Sequence, residues 1–268
     1  MSLFFGFIHP YYLPLAAMFA LAYMATSFYK NGQFDFKKAI TLFLTAFIPL
    51  IIFQIYMFIT DPFPGERGYV AGGFFQYMAT FEGVFLPNFG IYFDFWKSLI
   101  GVRIQNYEAF NYVGFAGQIV FIALTFGFIK KLFKRQFSNI FNFCDNAELN
   151  QYLQAAFLTL LFAFALIFQW FPILLEKFPP LRQFRSLGRF GWIFYYVFTV
   201  FTAYQIKNWL HQINLKNRWF AIGIGILFIG IWSIEGYQNI RHFRKEIINN
   251  ITPNYFFTKR IYQYTFKY

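Results

Sequence analysis

Residues 39–59 read AITLFLTAFIPLIIFQIYMFI, a run without Asp, Glu, Lys, Arg or His. A helix of about 20 such residues crosses about 30 Å of hydrocarbon, because every backbone N–H and C=O must find its partner inside the segment. Pro49 removes one helical donor, a loss that spanning helices tolerate. Working outward, comparable apolar stretches lie at 7–28, 109–129, 152–171, 190–206 and 219–234. They predict an all-α chain, a polytopic transmembrane bundle of about six spanning helices. Residues 1–14 contain no Lys or Arg, so the positive region of a signal peptide is missing. Pro10 and Pro14 suit a first helical turn instead.

Composition agrees. Of 268 residues 58% are hydrophobic and 13% charged, against about 45–50% and about 25% in soluble domains. The net charge of +12 would suggest nucleic acid in a soluble protein; here the cations flank apolar runs, and no nucleic-acid partner is expected. Cys144 is the single cysteine, and His9, His211 and His242 fit no ligand spacing, so no metal site or cofactor is implied.

Stretch 84–104 carries Asp94, Lys97 and Arg103, each costly at bilayer depth. Phe89, Phe93, Trp96 and Ile100 recur at helical spacing, which predicts an interfacial amphipathic helix in a long outer loop. Lys30, Lys37 and Lys38, then Lys130, Lys131, Lys134 and Arg135, then Lys207, Lys216 and Arg218 crowd one set of short connections. The positive-inside rule puts that set in the cytoplasm and both termini outside, in a bacterial inner membrane. The bundle occupies residues 1–236. Residues 237–268 form a short extracytoplasmic tail that stops as if more should follow.

Cations on the outer side run against that rule. FPPLRQFRSLGRF (178–190) brings Arg182, Arg185 and Arg189 beside the membrane, where guanidinium groups suit a lipid-linked phosphate or snorkel to the headgroups. DPFPGERGYVAGGF (61–74) is a shaped turn holding Asp61, Glu66 and Arg67; with Glu82 and Asp94 it offers candidate general bases without selecting one. Glu108, in NYEAFNYVGFAG (106–117), is placed to meet the macrodipole at the start of the third span. Glu235 reads as an ordinary acid closing the last span. Ala221 and Gly225 have small-xxx-small spacing for helix packing.

In order, DPFPGERGYVAGGFFQYMATFEGVFLPNFG (61–90), NYEAFNYVG (106–114), FPPLRQFRSLGRFGW (178–192) and IEGYQNI (234–240) resemble the YfhO-like polytopic membrane proteins of bacteria. Those are similar to GT-C glycosyltransferases. The resemblance implies sugar transfer from a polyprenyl-phosphate donor on the extracytoplasmic face, with cations stabilising the phosphate that leaves. It matches the middle portion of such an enzyme, without the N-terminal catalytic acidic loop, so a partner chain supplying that module is implied. By resemblance Arg67, Glu108 and Arg189 are substrate or lipid-phosphate contacts, or structural anchors. Tyr69, Phe74, Phe75, Tyr77 and Trp96 could stack on sugars or anchor at the interface. The alternatives are a transporter or flippase component, disfavoured because span interiors hold Gln54, Gln118 and Gln169 but no acid or base, and a non-catalytic membrane subunit. The orientation predicts that a membrane-impermeant maleimide labels Cys144 in inverted vesicles and not in intact cells; labelling in intact cells reverses it.

Overall fold

The computed structural model describes residues 6–31, 36–60, 73–177, 181 and 184–250. Among them every regular element is helical: α1 Tyr12–Asn31, α2 Phe36–Thr60, α3 Phe81–Phe85, α4 Gly90–Ile100, α5 Gly114–Phe133, α6 Ala147–Ala163, α7 Leu166–Trp170, α8 Ile173–Lys177, α9 Gly191–Asn214 and α10 Arg218–Asn250. Short 3-10 turns at Phe137–Asn139 and Leu187–Phe190 complete the set.

Three of these are long and apolar enough to cross a membrane: Phe36–Thr60, Gly114–Phe133 and Arg218–Arg244. The apolar part of α1, Tyr12–Phe28, is shorter. Helix α2 presents a surface suited to lipid. It is apolar on every side, packs chiefly on α1, and leaves Ile51, Ile55 and Ile59 exposed, with Phe58 at 87%. A helix hydrophobic all round belongs inside protein or lipid.

Several boundaries differ from expectation. The stretch expected to cross at 152–171 breaks: α6 ends at Ala163, and Ala165 adopts a left-handed φ of 55° before α7 restarts. The third stretch begins at Gly114 rather than 109, and α9 runs past 206 to Asn214. The domain limit drawn at 236 falls inside α10, which continues unbroken to Asn250. Within 84–104 the helix is α4 alone, 11 residues or about 16 Å long, too short to cross. Its Asp94, Lys97 and Ser98 share one side of the helix, and of the apolar residues Phe93 is buried while Ile91, Phe95 and Leu99 are exposed. Gly101, left-handed with φ 70°, ends it by donating its N–H to the Lys97 carbonyl.

Helix α6 starts where Asn146 accepts the Leu149 N–H through its side chain at 2.9 Å. Its inner face, Leu153, Ala156, Leu160 and Ala163, repeats at three and four residues and is fully or nearly buried. The alanines let α9 come close, and α9 fills the gap with Phe194, Phe198 and Phe201, all 0% exposed. Phe194 and Phe198 stack at 4.9 Å between centroids, and Phe157 meets Phe194 at 5.0 Å. In lipid such contacts hold helices by dispersion and fit rather than by exclusion of water. Ala221 is buried and Gly225 faces Leu210, so the small-residue face of α10 packs on α9.

At the end of the bundle where α2 and α7 finish and α1, α5 and α9 begin, connecting segments knit together through backbone. Gly188 donates to the Tyr77 carbonyl at 2.7 Å, Asn111 to Gly83 at 2.8 Å and Val113 to Val84 at 3.0 Å. Gly188 is required there by space: a Cβ would lie 2.5 Å from the Glu108 carbonyl oxygen and 2.8 Å from the Ala109 Cα. Gly188→Ala is therefore expected to lower stability by about 2–3 kcal/mol in a detergent unfolding assay. Gly230→Ala, where a Cβ meets nothing within 4 Å, should stay within about 0.5 kcal/mol.

Candidate functional site

The knitted end holds two adjoining features. The first centres on Arg189, at the 3-10 turn that leads into α9. One arm of its guanidinium donates to Glu108 Oε1 at 2.9 Å, and another meets His9 Nε2 at 3.1 Å. Arginine only donates, so His9 Nε2 is the acceptor. The guanidinium carbon lies 4.6 Å from the Tyr11 ring centroid and 5.9 Å from that of Trp192, within cation–π range. The Tyr11 hydroxyl also accepts the Ser186 N–H at 3.1 Å. The turn before α1, the 106–113 segment and the 184–190 segment thus meet on one cation.

The side chains of Arg189 and Glu108 are 20% and 15% exposed. Burial raises the Glu108 carboxyl, but the neighbouring Ser186 hydroxyl, the Arg189 guanidinium and the Tyr107 hydroxyl outweigh it and leave the pKa below the ordinary carboxylate range. Glu108 is ionised at neutral pH, and the pair is a structural tie. Two of the five guanidinium N–H donors are spent on these contacts.

The second feature is a cleft of about 470 Å³ that shares Trp192 with the first. Its walls include Tyr112, Tyr195, Tyr196 and Trp232, with Asn111, Glu235 and Asn239 among the polar groups. Helix α10 shapes its floor. Glu235 Oε1 accepts the Phe115 N–H at 2.8 Å and the Tyr112 hydroxyl at 2.9 Å. One turn on, Gln238 Oε1 accepts the Ile91 N–H at 3.0 Å, and His242 stacks on Phe89 at 4.3 Å. Neither α4 nor α5 has a side-chain cap of its own, so 235 and 238, on one face of α10, supply acceptors to both helix starts. Burial foremost, and then the charge of Glu235, push the Tyr112 phenol well above its ordinary pKa, so it stays a donor.

Of the residues singled out from sequence, Glu108 and Arg189 are brought together, while Arg185 is exposed on the same segment. Arg67 and Arg182 lie outside the described residues, as do Asp61, Glu66 and Tyr69. The carboxylate at the start of α5 is Glu235 and not Glu108, because the helix begins six residues after Glu108 and the N–H groups there face α10. His9, Tyr11, Trp192, Tyr195, Tyr196 and the role of Glu235 were missed. The acceptor spacing in IEGYQNI was the available signal for Glu235 and Gln238. For the aromatics nothing distinguished them in a chain with 45 Phe and 19 Tyr.

The model of one family, described as a domain of unknown function, DUF6311, matches residues 1–232. That range takes in Glu108, Arg189 and most of the cleft and stops just before Glu235. No curated protein and no solved structure matches the chain.

The tie makes a signed prediction. Glu108→Gln should cost about 1.5–3 kcal/mol at neutral pH, the range for hydrogen bonds to charged groups. Because the folded-state pKa of Glu108 is lowered, its contribution is full above the ordinary carboxylate range and is lost as pH falls through the lowered value. Unfolding midpoints of the wild type and Glu108→Gln should accordingly converge on acidification. A constant gap across pH would refute the ion pair.

Proposed function

We infer that this chain, which belongs to the DUF6311 family, recognises the saccharide of a polyprenyl-phosphate-linked sugar as the membrane-embedded part of a GT-C-like glycosyltransferase. The observation that carries the reading is the cleft: about 470 Å³ walled by aromatic rings, with a few fixed polar groups. Ring faces stack on the apolar C–H faces of sugars, and fixed amides and carboxylates take the hydroxyls.

In this reading about six helices cross a bacterial inner membrane: α1, α2, α5, α6 with α7, α9 and α10, with α4 at the interface. The connections that carry Lys30, Lys37 and Lys38, then Lys130, Lys131, Lys134 and Arg135, then Lys207, Lys216 and Arg218 face the cytoplasm. The cleft then opens on the extracytoplasmic side, where both termini lie. The carrier's hydrocarbon runs along the lipid-facing helices, and its phosphate meets the exposed Arg185, with Arg67 and Arg182 as further candidates. Arg189 and Glu108 anchor the rim that the sugar rests against.

One observation favours a second form of the same reading. Glu235 is the single acid in the cleft wall among the described residues, and its Oε1 is already held by Tyr112 and Phe115. A carboxylate oxygen spent on anchoring a helix start is committed to structure rather than to proton transfer. The chain on that view binds donor or acceptor while a partner chain supplies the catalytic acid group.

In lipid nanodiscs, a polyprenyl-phosphate-linked hexose is expected to quench the fluorescence of Trp192 and Trp232. Tyr196→Leu and Trp232→Leu should each weaken that binding about tenfold, a loss on the scale of an aromatic contact, ~1.4 kcal/mol. Binding unaffected by both substitutions removes the cleft from the reading.

A further inference from the structure

The chain carries +12, yet the wall of the cleft holds Glu235 and, among the described residues, no Lys, Arg or His. An anionic group placed there would face a carboxylate with no cation beside it. A neutral sugar would leave that carboxylate without an ionic partner.

The carboxylate is fixed and keeps one oxygen open. Glu235 spends Oε1 on Tyr112 and Phe115, and no hydrogen bond from a described residue reaches Oε2. Gly114 keeps space on that side: a Cβ there would lie 3.1 Å from Oε2. Asn111, 3% exposed, turns its amide nitrogen to the Gly188 carbonyl at 2.9 Å and the Ala109 carbonyl at 3.2 Å. That orientation leaves Asn111 Oδ1 as an acceptor, buried and without a partner. An unmatched carboxylate oxygen beside π faces, in a wall without a cation, calls for a ligand group that donates and carries positive charge. An ammonium has three donors and no acceptor, and it is drawn to Trp and Tyr faces.

We propose that the group bound between Glu235 and the aromatic wall is a protonated amine, so that the ligand of this cleft is an amino sugar. The assignment to a sugar rests on the saccharide reading above, whereas the amine does not. The ammonium sits against Glu235 Oε2. The Trp192, Trp232 and Tyr196 faces take its C–H surface. A protonated amine could equally come from an ethanolamine lipid headgroup, and the experiment separates the two.

Ligand-observed saturation-transfer NMR on the purified full chain in nanodiscs would compare methyl glucosaminide, methyl glucoside and ethanolamine. The glucosaminide should bind at least about tenfold tighter than the glucoside, a difference of ~1.4 kcal/mol. Tetramethylammonium should compete with it. Glu235→Gln should erase the preference and leave glucoside binding in place, and Tyr196→Leu, on an exposed position, should weaken both glycosides. Equal affinities for the two glycosides overturn the amine and leave the saccharide reading standing. Ethanolamine binding with neither glycoside bound supports the amine and ends the saccharide reading. Binding of none of the three overturns both.

Discussion

Backbone N–H groups at helix starts have no partner within their own helix, and in an apolar surround water is not there to replace one. This constraint organises the end of the molecule that carries the cleft. Helices α4 and α5 lack side-chain caps of their own, and α10 satisfies both, with Gln238 on Ile91 and Glu235 on Phe115. Thr80 performs the same service locally for Gly83. Asn88 binds the 103–105 segment through both ends of its amide, accepting from the Gln105 N–H and donating to its carbonyl. Each of these pairings fixes a loop, and the cleft is the space that those loops and the start of α9 enclose.

Toward the connections at 130–147 and 214–218 the cations are exposed, as Lys134, Arg135, Lys216 and Arg218 are. At the opposite end Lys97, Arg103 and Arg185 are exposed too, whereas Arg189 is drawn in, paired with Glu108 and set against Tyr11 and Trp192. Arg189 makes its contacts inside the protein. It joins three segments that are far apart in sequence, and it does so at the rim of a cavity whose own wall holds no cation among the described residues.

Much of this was legible beforehand, and the gaps have physical causes. Apolar length located α2, α5 and α10, since a lipid-facing helix declares itself in composition. The break between α6 and α7 was invisible because AFALIF continues the hydrophobic run; only the left-handed Ala165 interrupts the helix. Within 84–104 the charges marked a stretch that does not form one long apolar helix, and the helix there is limited to Gly90–Ile100. Among site residues, Glu108 and Arg189 were singled out from chemistry and motif, and the structure pairs them. Glu235 was set aside because an acid near an apparent helix end looks ordinary; its partners lie 120 and 123 positions away in the chain.

By itself the sequence determined an all-helical chain with segments suited to lipid and a segregated set of cations, because hydropathy and charge act locally and leave a periodic trace. Only the tertiary structure decided which acid caps which helix, which arginine is neutralised, and that aromatic side chains from residues 12 to 243 gather around one carboxylate. Those outcomes depend on where helices of similar composition cross one another. Crossing is set by the fit of alanine faces to phenylalanine ridges and by the close approach of backbones at Gly188, quantities that no single stretch of residues encodes.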